Sequence, residues 1–373
     1  MSLKKNKLIR LGASIKITCL CLLWLFILTF WGTVSQVEDG LFFAQQKYFY
    51  SWFFYGFGFL PLPGARLTLW VMFINLVCAG ILRFTFQKRH IGILIIHLGL
   101  ITYFISAFVV FHVSHESHVT LREGQTLNVS SAYHQWELVF WQEGDAPGKK
   151  ITALDEQLLK ANETIKDQRL PFTLQVEQYF KNAAAYQSAQ EDPPQDGGPV
   201  NASGIKTLET KPLNAEPEKN LPGGIFRVFQ KDQSYPVLLY GGEMIPTPVT
   251  FGNETYFLQL RRKNFELPFA IKLKDFRKEV HPGTEMASSY ESLVEVIHEG
   301  LTREVLIYMN EPLRFKDYTL YQASYAVDQM GRELSTLAVV KNAGRLLPYI
   351  SSFIVFFGLV WHFLYMAFKR GNK

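Results

Sequence analysis

The sequence predicts a membrane protein with four transmembrane α-helices and a large, mostly β extracytoplasmic domain. Three observations predict it. The 373-residue chain holds four apolar runs, each near the roughly 20 residues that cross ~30 Å of hydrocarbon. Basic residues fall where an even number of crossings places the same side of the membrane. Between the third and fourth runs, short alternating or β-branched stretches recur between turn residues.

Residues 1–14 form a cytoplasmic N-terminus carrying Lys4, Lys5, Lys7 and Arg10. The first span, 15–34, is too long for a signal-peptide core. Gly32-Thr33-Val34-Ser35 is only weakly permissive for cleavage, so the helix reads as retained. Residues 35–66 form an aromatic extracytoplasmic loop, with Phe42, Phe43, Tyr48, Phe49, Tyr50, Trp52 and several further rings. Such rings favour the headgroup layer. The loop reads either as an interfacial helix on the outer leaflet or as a wall for a flat apolar ligand such as a porphyrin.

The second and third spans, 67–85 and 91–112, flank a cytoplasmic turn at 86–90 with Arg83, Lys88 and Arg89 nearby. The fourth span, 346–368, leads into the tail 369–373 with Lys369, Arg370 and Lys373. The positive-inside rule then places both termini in the cytoplasm and the segment 113–345 outside. That segment reads as strands at His118–Arg122, Trp136–Trp141, Phe172–Phe180, Tyr256–Arg261, Phe269–Leu273, Leu293–Ile297, Val305–Met309, Thr319–Gln322 and Leu337–Val340. Residues 151–168 read as including one helix. Residues 187–224, rich in Pro, Gly, Asn and acidic side chains, read as a flexible excursion.

A formal charge of +5 does not point to nucleic acid. The three cysteines, Cys19, Cys21 and Cys78, all lie in apolar runs. The outer domain therefore has neither disulfide staples nor thiol–disulfide chemistry. No phosphate loop, nucleophile elbow or Cys-x-x-Cys-His is present, so no catalytic residue is assigned and the chain is not itself a c-type cytochrome.

Nine histidines occur, two of them inside spans. His97 lies about 9 Å beneath the cytoplasmic end of the third span at ~1.5 Å per residue. An ionisable side chain there is costly and is a functional candidate. Its imidazole either ligates haem iron or hydrogen-bonds a neighbouring helix. His362 lies at a similar distance from the cytoplasmic end of the fourth span. Similar depth permits a bis-histidine haem between the third and fourth spans, against the alternative of an interfacial histidine beside Trp361. His112, His115 and His118 share one face if the third helix continues outward, and are candidates to receive haem or a metal there. His134, His281 and His298 read as solvated.

Several segments, in order around the four spans, resemble one family. They include Gly32-Thr33-Val34-Ser35-Gln36-Val37-Glu38-Asp39-Gly40-Leu41, Pro63-Gly64-Ala65-Arg66-Leu67, and Gly92-Ile93-Leu94-Ile95-Ile96-His97-Leu98-Gly99. In the outer domain they include Leu267-Pro268-Phe269, Met309-Asn310-Glu311-Pro312-Leu313 and Tyr318-Thr319-Leu320-Tyr321-Gln322. The chain resembles the ResB family, also called CcsB, of the system II cytochrome c synthetase.

The resemblance implies a location in the bacterial inner (cytoplasmic) membrane, with the large domain on the periplasmic face. It implies haem b as a transiently bound substrate, with no metal besides the haem iron. Implied partners are a CcsA-type multi-span membrane protein, apocytochrome c and a thioredoxin-like thiol reductant. The chain would be a non-catalytic or co-catalytic subunit of this haem lyase, moving haem across the membrane for attachment. His97 falls on the family's membrane histidine, one axial ligand, with the other supplied by the partner. The tryptophan-rich haem-handling loop belongs to the partner and is absent from this chain. Two alternatives stay open. One is a scaffold that docks apocytochrome or partner without binding haem. The other is a membrane b-type cytochrome using His97 and His362.

Overall fold

The structure, a computed structural model, describes residues 7–83, 87–142, 144, 151–187, 199, 201–231, 233–283, 287–328 and 330–371. Lys4, Lys5 and Lys373 lie outside the described residues. The chain divides into two compact units. One comprises the chain up to His115 with Arg314–Thr319 and the segment from Val340 onward; the other holds Glu116–Leu313 and Leu320–Val339.

The first unit is helical: α1 (Lys7–Gly12), α2 (Ile15–Asp39), α3 (Leu41–Ala44), α4 (Ala65–Arg83), α5 (Ile91–Val113) and α6 (Leu347–Gly371). Among the described residues, α2, α4, α5 and α6 are long and apolar enough to cross a membrane. Lipid tails are as apolar as leucine, so such helices associate through close packing and polar ties. Asn75 is one such tie. The break between α1 and α2 leaves terminal carbonyls in need of donors. Buried Asn75 on α4 donates Nδ2–H to the Gly12 and Ser14 carbonyls at 2.5 and 2.9 Å. Its Oδ1 accepts from Thr18 Oγ1 at 2.6 Å.

A single interfacial helix is not what the aromatic loop forms. After α3 and a π-helical turn at Gln45–Phe49, it folds into a hairpin of Phe53–Gly56 against Leu60–Pro63. Pro61 and Pro63 cannot sit inside a helix. Phe57 and Gly58 turn the chain with φ of 54° and 83°. Two of the loop's rings turn inward, Tyr48 and Phe54, buried against Leu28 and packed with Trp31, while Trp52, Phe53, Tyr55, Phe57 and Phe59 stay exposed. Trp24 on α2 donates its indole N–H to the Pro63 carbonyl at 2.8 Å.

The second unit is β throughout, which together with the four helices gives the expected fold class. Its main sheet has ten strands. Along the principal path the order is Leu301–Tyr308, Ala287–His298, Glu254–Val280, Thr126–Gln142, His115–Arg122, Glu333–Lys341, Tyr318–Val327 and Leu313–Phe315. Thr247–Phe251 and Thr152–Asp155 pair at its margins. A four-stranded sheet runs Gln233–Tyr240, Gly223–Gln230, Thr173–Phe180, Thr164–Ile165. The two sheets bury their alternating inner residues against each other. Leu174, Val176, Phe226, Val228, Val237 and Leu239 come from the small sheet. Leu138, Phe140, Leu258 and Leu260 come from the large one.

Three sequence expectations need correction here. Residues 151–168 hold no α-helix, only a 3-10 turn at Glu156–Leu158 between two strands. Leu154 and Leu159 are drawn into the sheet core instead. The supposed excursion 187–224 is largely structured where described, residues 188–198 and 200 lying outside the described set. Ile205–Thr210 pairs with Ala183–Gln187. Asn201 Oδ1 accepts the amides of Ser203 and Ile205, so a side chain supplies what a regular ladder would. Finally, 256–261 and 269–273 are parts of one long strand, Glu254–Val280, kept continuous through register shifts against Thr126–Gln142.

Candidate functional site

Two faces of α5 define the site. One is a seam of close approach to α6. A Cβ on Gly92 would stand 2.6 Å from the His362 Cβ and 2.7 Å from its backbone N. A Cβ on Gly99 would stand 2.8 Å from the Val355 backbone N. Reciprocally, a Cβ on Gly358 would stand 2.8 Å from the Ile96 backbone N. Ser106 on α5 and Ser351 on α6 are buried, as residues at such a seam are. The helices therefore run antiparallel with their backbones nearly touching.

His362 sits in that seam, level with Gly92. His97 does not. At 100° per residue it lies about 140° around α5 from Gly92. It is also five residues from Gly92, which is about 7 Å further along the helix. The expectation of similar depth for His97 and His362 is thus replaced by an offset of more than one turn. The structure does not bring the two imidazoles together across the α5–α6 seam. The Nδ1 of His362 is buried without a hydrogen-bond partner among the described residues.

The other face of α5 carries His97, with Phe104 and Phe108 each about 20° from it on either side and His112 about 60° from it. This face meets α4: Trp70 lies edge-on to Phe108 with centroids 5.8 Å apart, and Phe73 contacts Phe104 at 5.7 Å. Continuing that antiparallel register puts His97 level with Gly80. A Cβ built on Gly80 meets nothing within 4 Å.

The imidazole of His97 is held in a defined tautomer. Its Nδ1 lies 2.9 Å from the Ile93 carbonyl, which can only accept, so Nδ1 carries the proton and donates. The lone pair then resides on Nε2, pointing away from its own helix. A metal-ligating histidine is commonly oriented this way, with its second nitrogen bonded to a backbone carbonyl. His112 repeats the arrangement, Nδ1 donating to the Phe108 carbonyl at 2.8 Å.

The histidines beyond α5 do not form one helical face. The helix ends at Val113, Ser114 is extended and a strand begins at His115. Three residues apart on a strand, His115 and His118 point to opposite faces. His118 instead lies with its ring 4.8 Å from that of Tyr133. His134, expected to be solvated, is half-buried, with Nε2 3.6 Å from Glu218. Arg262 stacks over Trp136 and donates to the Tyr133 and Glu218 carbonyls beside them. Sequence reading missed this cluster because its members come from separate strands and the 217–219 turn. Among the described residues no group of His, Cys, Asp and Glu is placed to hold a metal ion.

Burial, reinforced by Arg262, holds the His118 imidazole below its ordinary value. Burial also lowers His134, opposed by Glu218. Unfolded, both return to about 6.5, so below that pH the unfolded chain binds more protons. The second unit should therefore be insensitive to pH above about 7.5 and lose stability as pH falls through about 6.5. Thermal unfolding of the full chain in detergent at pH 7.5 and 5.5 checks this. His118→Gln should flatten the profile, and a midpoint that does not fall at pH 5.5 would contradict it.

Four candidate membrane spans and a large β domain define a multi-span membrane protein that also carries a β-rich unit. Residues 240–351 match the ResB-like family. The matched segment runs from the end of the small sheet's Gln233–Tyr240 strand into the start of α6 and does not include His97. A stretch of 100 residues is 31% identical to Protein NrfI of Wolinella succinogenes. That stretch is 26% of this chain and 11% of the relative, so the chain matches only a small part of the relative's length.

Proposed function

We propose that this chain is the haem-handling subunit of a system II cytochrome c synthetase, acting with a CcsA-type partner in the bacterial inner membrane. The ResB-like match and the NrfI relative support a place in cytochrome c biogenesis. One observation carries the haem assignment. His97 lies on the same side of α5 as Phe104 and Phe108, which meet α4, and its Nδ1–H is tied to the Ile93 carbonyl, which leaves Nε2 free to bind. Haem is the cargo here and the chain supplies binding and orientation. His97 Nε2 would give its lone pair to the iron, and the carbonyl bond would fix the ring's rotation. The second axial ligand would come from the partner, because His362 lies in a different seam. The basic residues near the ends of α1, α4 and α6 support a topology with both termini in the cytoplasm and the β unit outside. That unit would dock the partner, the apocytochrome or a thioredoxin-like reductant.

The test is haem content. The full chain, purified with its partner, is compared with His97→Ala by its haem spectrum and by haem-to-protein ratio. The variant is expected to lose the haem held at depth, and cytochrome c maturation in cells with it. An unchanged haem ratio and spectrum in His97→Ala would remove the ligand role. If maturation also persists, while deletion of the β unit abolishes it, the chain is a docking scaffold. Loss of haem from His362→Ala as well would instead favour a membrane b-type cytochrome.

A further inference from the structure

At the other end of α5 from Ile91 lies a cleft of about 460 Å³ between α4 and α5, roofed by Phe49 and Tyr50. Its size falls within the ~300–1,000 Å³ of small-molecule and cofactor sites. Its walls are aromatic: Trp70, Phe73, Phe104, Phe108 and Phe111. Two polar groups reach it, and both are unusual. The first is His112, whose Nδ1–H is committed to the Phe108 carbonyl. Its ring packs on Phe108 at 4.1 Å, and its Nε2 has no hydrogen bond among the described residues.

The second is Arg66, which lies between Trp52 and Phe111, 5.0 and 5.5 Å from their centroids. Among the described residues no carboxylate comes within 4.0 Å of its guanidinium. A half-buried cation with aromatic neighbours and no counter-ion favours an anionic ligand.

A flat apolar face, an anionic edge and an atom that takes an imidazole lone pair are together the chemistry of haem. We propose that this cleft is a second haem site, with iron on His112 Nε2, the macrocycle between the α4 and α5 rings, and a propionate on Arg66. The proposal rests on haem being the cargo, but not on His97 being its ligand. His97 and His112 are about 22 Å apart along α5 at ~1.5 Å per residue. Phe104 and Phe108 lie between them on nearly the same face. The one helix would thus present an entry site and an exit site to the same cargo, with aromatic rings along the way.

The full chain is purified in detergent without its partner and titrated with ferric haem, following the Soret band. Wild type is expected to bind two haems, and H97A and H112G one each. Added imidazole should restore the second haem to H112G, which a merely structural role for His112 would not allow. R66Q should weaken haem binding at this site about tenfold or more, the worth of a charge-assisted hydrogen bond. It should leave binding of the haem dimethyl ester, which has no propionate charge, unchanged.

The proposal is overturned if H112G binds as wild type does, the cleft then being filled by lipid or a partner helix. It is equally overturned if imidazole does not restore H112G and R66Q weakens haem and ester alike. If H97A keeps both haems while H112G loses one, the deep site fails and this one stands.

Discussion

Phe226→Ala is expected to destabilise the β unit by about 3–5 kcal/mol, the usual result of emptying an aromatic core position. Phe226 is fully buried, on the small sheet, where it pairs with Val176 on one side and Val237 on the other. Its ring packs within the cluster that joins the small sheet to Leu138, Phe140, Leu258 and Leu260 of the large one. The strand shifts register against Thr173–Phe180 at Ile225/Phe226. A domain is stable by only about 5–15 kcal/mol, so the loss is a large share of the total. Urea unfolding of the full chain, followed by tryptophan fluorescence, reads it out. Thr302→Ala on an exposed strand should stay within about 0.5 kcal/mol. A Phe226→Ala midpoint close to that control would mean the sheets do not share this core.

The positions of the four apolar helices were legible because a membrane span is a local property: length and hydropathy suffice. The strands with β-branched, alternating runs were legible for the same reason. Phe226 was not. It follows Gly223-Gly224 in a stretch whose Pro and Gly content argues for a loop, and pairing with Thr173–Phe180 and Gln233–Tyr240 makes it a strand. Asn201 and Asn220 failed in the same way, being turn residues whose side chains complete backbone hydrogen bonds.

At the site, His97 stood out by itself, since an imidazole in an apolar run is conspicuous. Its partner face did not, because which residues of α5 look toward α4 and which toward α6 depends on packing. Gly92 and Gly99 gave a faint sign of the α6 side, at a seven-residue spacing that also takes in Ser106. Arg66 gave none. It reads as a basic residue at a helix start, and its isolation among rings appears only once the hairpin at 53–63 is folded.

Gly92→Leu is expected to separate α5 from α6, and the reason lies in what the new side chain would meet. The atoms nearest its Cβ are the Cβ, Cα and backbone N of His362, at 2.6 to 2.7 Å. None of these is the tip of a flexible side chain, so the clash cannot be relieved by a rotamer change. Overpacking typically costs about 1–3 kcal/mol, and a backbone obstacle places this substitution at the upper end. Gly80→Leu on α4 is the informative control. The same side chain enters open space there, so helix packing should be unaffected. Ser106→Cys on α5 paired with Ser351→Cys on α6, buried positions that already carry a Cβ, in a chain cleared of Cys19, Cys21 and Cys78, would report the separation by crosslinking. Crosslinking should fall several-fold in Gly92→Leu and stay near wild type in Gly80→Leu. The two variants also divide the haem question. If the haem lies on the α4 face of α5, Gly80→Leu should impair haem binding at His97 while leaving the seam closed. If instead it lay between His97 and His362, Gly92→Leu alone would abolish it. Equal haem loss in both, with crosslinking intact, would contradict the assignment of faces.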